Sequence, residues 1–450
     1  MSARMTTFCV VTLLWLLLGG MRFYGQIKET QKTGGPLQDV QIHVAEKVAL
    51  ASRAPALADY TELMARQMDL ASLYASRFEG PDGDLARCRY AALLLAIGQP
   101  AEATKQLAAV QSTKVAALVS ALIDAAAGGA ANLPPTQLDR DLTAVDAALS
   151  GWVAQAVKAI LYERAGRQEQ ALGLRAWVQA EAERAASGLA TIVAVMAFDF
   201  VAGIVVIVVF LAIGRDLDLR PKGIEVEPSW DPVAGWSLLV AWQVVSIGVA
   251  LVNAKLLGGE LRGAPPGVFV MQLVIYGVLM ALIGWVIRGR WADIGVHLVS
   301  WQRNLLVGLC GAWMALIFVL ATQFIASKLS GQSGPSSNPV FQLLRDESSG
   351  FGLVLMFVLV AIVGPIFEEI LFRGVIYGSM KQVMPVALAI PLCGAVFSLA
   401  HGDVNALVPL LVLGSLLSFI FERTRSVVAS SLTHCIWNGQ VFLVAVFLFS

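Results

Sequence analysis

In the last hundred residues, three clusters of polar side chains interrupt otherwise apolar sequence. The first is Phe367-Glu368-Glu369-Ile370-Leu371-Phe372-Arg373-Gly374, which follows a long apolar run and Gly364-Pro365. On a helix, Glu369 and Arg373 are i,i+4 neighbours and can pair. Glu368 lies about 100° further around, free to face a cavity. Two adjacent carboxylates in a medium of low dielectric do not both ionise easily. Arg373 can hold one as the anion and leave the other to act as a base. The second cluster is Phe397-Ser398-Leu399-Ala400-His401, and the third is His434-Cys435-Ile436-Trp437-Asn438. In the third, His434 and Asn438 again share a helix face. The chain has four histidines and two fall here, whereas His43 and His297 have no comparable setting. Glu, His, His and Asn on neighbouring helices suit activation of a water and stabilisation of an oxyanion. The same carboxylate and imidazoles, Glu368, His401 and His434, would also ligate zinc, and the side chains alone leave the two open. Singly, each residue has a plain packing role; together, at the ends of successive apolar runs, they point to chemistry.

The pattern Glu-Glu-x-x-x-Arg, then Phe-x-x-x-His, then His-x-x-x-Asn resembles the type II CAAX prenyl endopeptidases and bacteriocin-processing proteins, the CPBP or Abi family of intramembrane proteases. Phe372-Arg373-Gly374 after the carboxylates and Phe421-Glu422-Arg423-Thr424-Arg425-Ser426 before the last apolar run resemble it too. At the latter the family often has aromatic-x-Arg-Thr-Gly-Ser, so Arg425 stands where Gly is usual. The resemblance covers roughly residues 350–440 and leaves residues 1–230 unexplained. It implies that Glu368 and His401 activate the attacking water and that His434 and Asn438 stabilise the tetrahedral oxyanion. Glu369 and Arg373 would orient Glu368, and Phe397 would pack beside the site. Whether a zinc assists or the glutamate activates water unaided, the resemblance leaves open.

The elements that must position these groups are membrane helices. The 450-residue chain has no formal net charge, is 57% apolar and only 14% charged, against roughly a quarter charged in soluble domains. Its mean hydropathy is +0.71. Such a composition excludes a mainly disordered chain and a nucleic-acid binder built on a basic field. The five cysteines form no disulfide framework or paired zinc spacing. From Val193 on, apolar runs of about 20 residues recur, the length that crosses a hydrocarbon core. They are expected at 189–213, 232–257, 266–287, 304–327, 351–372, 383–400, 405–421 and 427–449. With the apolar start, Phe8–Leu18, this makes about nine spans. Residues 1–24 read as a signal anchor rather than a cleaved signal peptide, since no A-x-A-like site follows. The loops bearing Arg215, Arg220, Lys222, Arg288, Arg290, Arg303, Arg373, Lys381, Arg423 and Arg425 outnumber in cations those bearing Lys255, Arg262, Lys328 and Arg345. The positive-inside rule makes the first set cytoplasmic. Residues 25–187 are then outside, in the manner of a bacterial inner-membrane protein.

Residues 25–187 are a second, polar domain: most of the charges before residue 185 lie there. The composition is Ala, Leu, Glu, Gln and Arg, which form helices. Leu94–Ala103 and Leu161–Ala171 resemble each other, each a helix closing on Gly, with Gly98 and Gly166 separated by twice the tetratricopeptide period. Tetratricopeptide-like hairpins are one expectation and a generic helical bundle the other. The fold is therefore expected to be all-α: a polytopic membrane bundle with an N-terminal extramembrane helical domain. Residues 188–345 are read as accessory spans and 346–450 as the catalytic core.

The leading functional reading is an intramembrane endopeptidase that hydrolyses membrane-associated or prenylated-type substrates in the lipid bilayer. The alternative is a non-proteolytic membrane scaffold or regulator that recruits a protein partner through residues 25–187. A proton-coupled transporter using Glu368 and Asp199 is disfavoured by the lack of an internal repeat among the spans. Gly331-Gln332-Ser333-Gly334 spells a rhomboid-type serine motif, but in a polar loop rather than a buried helix start. Asp199, midway along its span, reads as a helix–helix hydrogen-bond partner.

Overall fold

The computed structural model describes residues 35–55, 82–127, 133–214, 226–256, 265–330, 349–403 and 406–449, with a few isolated positions between. Among them the secondary structure is entirely helical. The chain divides into two compact units, residues 32–194 and residues 195–450 together with 1–31, and the boundary falls inside one long helix.

The first unit contains α1 (Gly35–Ala51), α2 (Gly83–Ala96), α3 (Pro100–Ala108), α4 (Ala116–Ala126), α5 (Pro135–Ala148), α6 (Gly151–Arg164) and the start of α7 (Gln168–Ile213). Leu93, Leu122, Leu138 and Leu161 are fully buried and form its core. Gly98 and Gly166 end α2 and α6 at φ +84° and +73°, and a Cβ at either would meet open space. Both are therefore required by the left-handed backbone of a helix C-terminus and not by close packing. The helices they join are unequal, from the 9 residues of α3 to the 46 of α7. The helical character expected of this domain is present. A tetratricopeptide array is not supported, because similarity at two glycines reflects only the shared requirement for positive φ.

This unit buries a carboxylate, Asp141, whose Oδ1 has Arg140 Nε at 3.6 Å, beyond hydrogen-bond reach. Burial, followed by the neighbouring Asp124 carboxyl, pushes its pKa up to about 6. A raised carboxyl stabilises the fold while protonated, fully below its unfolded value of ~3.9, and that stability is lost as pH rises through the folded value. Asp141→Asn should therefore stabilise this unit at pH 7.5, with the gain shrinking below pH 5. Pulse proteolysis of the intact protein at the two pH values checks this; a destabilised variant at pH 7.5 contradicts it.

Among the described residues seven helices, the first of them α7, are long and apolar enough to cross a membrane, and the protein is an integral multi-pass membrane protein. After α7 come α8 (Pro232–Leu256), α9 (Pro265–Val286) and α10 (Trp301–Ser330). Next is α11 (Gly350–Lys381), a 32-residue helix, then α12 (Val386–His401), α13 (Leu407–Thr424) and α14 (Val427–Phe449). Among the described residues each of the eight runs expected after residue 188 coincides with a helix. The sixth, α12, has 16 residues, or about 24 Å at 1.5 Å per residue, short of the ~30 Å hydrocarbon core. Of the expected anchor 1–24, residues 11, 12 and 15 are described: Trp15 is buried and the Thr12 hydroxyl accepts a hydrogen bond from Trp236 Nε1 at 2.9 Å. Gly331–Gly334 and several loop cations used for orientation, among them Arg215, Arg220, Lys222, Arg262 and Arg345, lie outside the described residues.

Small residues let the site helices approach each other, as in membrane proteins generally. A Cβ on Gly308 would fall 2.8 Å from Leu432, and one on Gly311 2.4 Å from the Thr433 hydroxyl. Thr433 Oγ1 donates to Gly308 O at 2.9 Å, so α14 is drawn onto α10 one residue before His434. A Cβ on Gly394 would meet Leu411 O at 2.6 Å and Ser415 N at 2.8 Å, backbone atoms that cannot yield without moving α13. Gly394→Ala should force α12 from α13 and cost roughly 1–3 kcal/mol. A fall in the detergent unfolding midpoint checks this, and an unchanged midpoint refutes the close approach.

Candidate active site

The three clusters converge in the second unit. Glu368 and Glu369 sit in a short regular segment of α11, Gly364–Glu369, between two wider π turns, Val358–Val363 and Ile370–Tyr377. Pro365 lacks an N–H and its ring would strike the preceding turn of a regular helix, and a widened turn relieves such a conflict. His401 is the last residue of α12, which stops because Gly402 adopts φ +66°. His434 and Asn438 lie on α14.

Glu369 and Arg373 are both fully buried and pair as the i,i+4 spacing requires, Nη1 to Oε1 at 2.8 Å. The second guanidinium arm donates to Gly414 O at 3.0 Å, fixing α11 to α13. The same Glu369 Oε1 lies 3.0 Å from His434 Nδ1. The Glu369–Arg373 pair therefore meets His434; the resemblance implied that it orients Glu368. Adjacent residues point about 100° apart, so one carboxylate reaches Nδ1 of His434 and the other reaches its opposite side.

Glu368 Oε2 lies 3.6 Å from His401 Nε2 and 3.9 Å from His434 Nε2, and it is buried with no hydrogen-bond partner. His401 Nδ1 lies 2.8 Å from Phe397 O; a carbonyl only accepts, so Nδ1 carries the hydrogen. His434 Nδ1 faces a carboxylate held by arginine and carries its hydrogen likewise. In the neutral rings both Nε2 atoms are then acceptors, and they face a third acceptor, Glu368 Oε2. Three converging acceptors lack a donor. A water that donates two hydrogens, an additional proton on a ring, or a cation completes such a set.

Phe397 stands at the centre of this arrangement. Its ring centroid is 4.5 Å from that of His401 and 5.6 Å from that of His434, and the Arg373 guanidinium lies 4.5 Å from it. Asn438 Nδ2 donates to Val360 O at 3.0 Å, which leaves its second amide hydrogen free. Asp199 is buried in the α7 span and accepts from Trp313 Nε1 at 3.0 Å and from Gln440 Nε2 at 2.5 Å. It joins α10 and α14 as a helix–helix partner, apart from the Glu–His cluster.

The donor chemistry of Glu368, His401 and His434 fits zinc, and both rings have an acceptor on Nδ1 of the kind that orients metal-bound histidine. The separations are wider than the roughly 3.3 Å between ligands ~2.0 Å from a tetrahedral ion. Among the described residues no group of three His, Cys, Asp or Glu has the spacing of an assembled metal site.

At the end of α13, Glu422 gathers Tyr377, Lys381 and Arg425, each at 2.8 Å. Arg425 has φ +52°, a conformation that favours glycine. Its guanidinium bonds Glu422 and its carbonyl lies 3.0 Å from His297 Nε2, contacts that offset the strain at the position where the family often has Gly.

Residues 350–440 match the model of the family described as type II CAAX prenyl endopeptidase Rce1-like. Over 138 residues the chain is 25% identical to the protein YdiL of Bacillus subtilis (strain 168), covering 29% of this chain and 57% of that one. It is 22% identical over 143 residues to the membrane-embedded CAAX protease MroQ of Staphylococcus aureus (strain USA300), covering 30% and 56%. The chain thus spans little more than half the length of these curated relatives. No solved structure matches it. The matched region, residues 350–440, is similar to the Rce1-like CAAX proteases and holds every residue of the converging clusters.

Proposed function

We propose that the protein is an intramembrane endopeptidase that hydrolyses membrane-associated protein or peptide substrates, prenylated-type chains among them. The observation that carries this reading is the convergence of Glu368 Oε2, His401 Nε2 and His434 Nε2 on one partly buried space, with no hydrogen-bond partner on Glu368 Oε2. A water held there donates its hydrogens to Glu368 and His401 and turns a lone pair toward a substrate carbonyl. As the water oxygen bonds to the carbonyl carbon, its proton passes to the Glu368–His401 pair. The same proton then goes to the leaving amine nitrogen as the C–N bond breaks, and the water oxygen stays in the new carboxylate. His434, held by Glu369 on its Nδ1 side, turns Nε2 toward the oxyanion, and with a hydrogen there it is one donor while the free amide hydrogen of Asn438 is the second. Were a zinc held by Glu368, His401 and His434, it would supply Lewis acidity and a more acidic water. The positive-inside balance favours residues 25–187 lying outside a bacterial inner membrane, where they would be available to a protein partner. The test is to incubate wild type, Glu368→Ala, His401→Ala and His434→Ala with a solubilised membrane-protein extract and catalogue new peptide termini by mass spectrometry. Loss of termini in all three supports the reading; full cleavage by all three ends it.

A further inference from the structure

The geometry points to Tyr276, on the accessory helix α9, as a substrate-positioning residue that donates a hydrogen bond to a peptide carbonyl flanking the scissile bond. The inference rests on the endopeptidase reading and extends the site beyond the matched region 350–440. Three observations carry it. First, α9 is apolar along its length, and apart from Trp285 near its end its polar side chains are Gln272 and Tyr276, i,i+4 on one face. Polar groups inside a span are costly and are kept for packing or function. Second, that face meets the site helix. The Tyr276 ring stacks on Phe367, the residue before Glu368, with centroids 4.2 Å apart and planes at 22°. The hydroxyl oxygen lies 3.3 Å from where a Cβ on Gly364 would stand. Gly364 and Glu368 are one helical turn apart, so the absence of a side chain at 364 lets the hydroxyl rest one turn from the base, within electrostatic reach of its carboxylate. Third, the hydroxyl is set up as a donor. Gln272 lies one turn before it on the same face, and the O–H hydrogen is free to donate.

Stacking on Phe367 requires only the ring. A phenylalanine would fill the same space without burying a hydroxyl. The hydroxyl therefore has a role outside packing, and from its position that role is a hydrogen bond to substrate backbone beside the bond Glu368 attacks. The donor is one turn away from the water site, so it fixes the register of the chain without entering the oxyanion.

The test uses full-length protein in nanodiscs and a synthetic peptide spanning the cleavage point most frequent in the wild-type terminus catalogue. Tyr276→Phe is expected to keep the wild-type unfolding midpoint and to lower kcat/KM by roughly three- to tenfold, mostly through KM, the effect of one lost hydrogen bond. A thioamide replacing the flanking carbonyl, a poor acceptor, should slow wild type by a similar factor and leave Tyr276→Phe nearly unchanged. That coupling is a readout that a merely structural tyrosine would not move. The proposal is overturned if Tyr276→Phe cleaves at the wild-type rate while Glu368→Gln is silent, or if the thioamide slows both enzymes equally. If wild type and Glu368→Gln process the peptide alike, the endopeptidase reading itself has failed.

Discussion

Replacing Glu368 by Gln should reduce peptide-bond cleavage by about 10²–10⁴, the range for loss of a positioned general base. The substitution keeps shape and removes the anionic acceptor at the centre of the site. Its effect on folding should be small, because Glu368 Oε2 has no hydrogen-bond partner to lose. His401→Ala should produce a loss of similar size. Adding His401→Ala to Glu368→Gln should then cost little more, since residues that act as one unit are strongly non-additive. His434→Ala should cost about 10²–10³, as for removal of an oxyanion donor. Initial rates of the single and double variants on one peptide check this, and multiplicative losses for Glu368 and His401 would show that they do not share a water.

The second large effect is on stability. Arg373 and Glu369 are fully buried and paired at 2.8 Å. Removing one partner of a buried pair leaves the other charge uncompensated and costs about 3–5 kcal/mol. Arg373→Ala also deprives Gly414 O of its donor, so α11 loses its tie to α13. The variant should unfold well below wild type in detergent. The double variant Glu369→Leu/Arg373→Met removes both charges and should recover most of that stability, because apolar replacement of a buried pair is often neutral. It should nevertheless remain a poor enzyme, because His434 Nδ1 then lacks its acceptor. Unfolding midpoints and rates measured on the same preparations separate the two roles. A wild-type midpoint for Arg373→Ala would show that the pair contributes nothing to the fold.

How much of this was legible in the residues differs from group to group. The Glu369–Arg373 pair follows from i,i+4 spacing, and the membrane helices from apolar runs of about 20 residues. Both properties are local, and local spacing survives folding. Which carboxylate meets which imidazole is not local. It depends on π turns on either side of Glu368-Glu369 and on glycines 308, 311 and 394 setting helix separations. Hence Glu369 was expected to serve Glu368 and instead contacts His434. His434 and Asn438 share a helix as the spacing implied, yet one amide hydrogen of Asn438 goes to Val360 O, a partner 78 residues away that no periodicity reveals. Tyr276 was missed because a tyrosine in an apolar helix carries no motif. The signal available was its i,i+4 companion Gln272, a second polar group in a span otherwise without them. The two helix–Gly–helix turns in the polar domain were legible as turns and misleading as repeats, since glycine at a helix end is demanded by backbone geometry in any helical array.

The central claim is that a water activated at Glu368 is the nucleophile that opens a peptide bond. The most direct measurement is the terminus catalogue repeated in H2(18)O, with wild type and Glu368→Gln incubated in parallel with the same membrane-protein extract. The account predicts wild-type C-termini that carry a single heavy oxygen and are missing from the Glu368→Gln sample. Identical catalogues from two equally well folded proteins would contradict it.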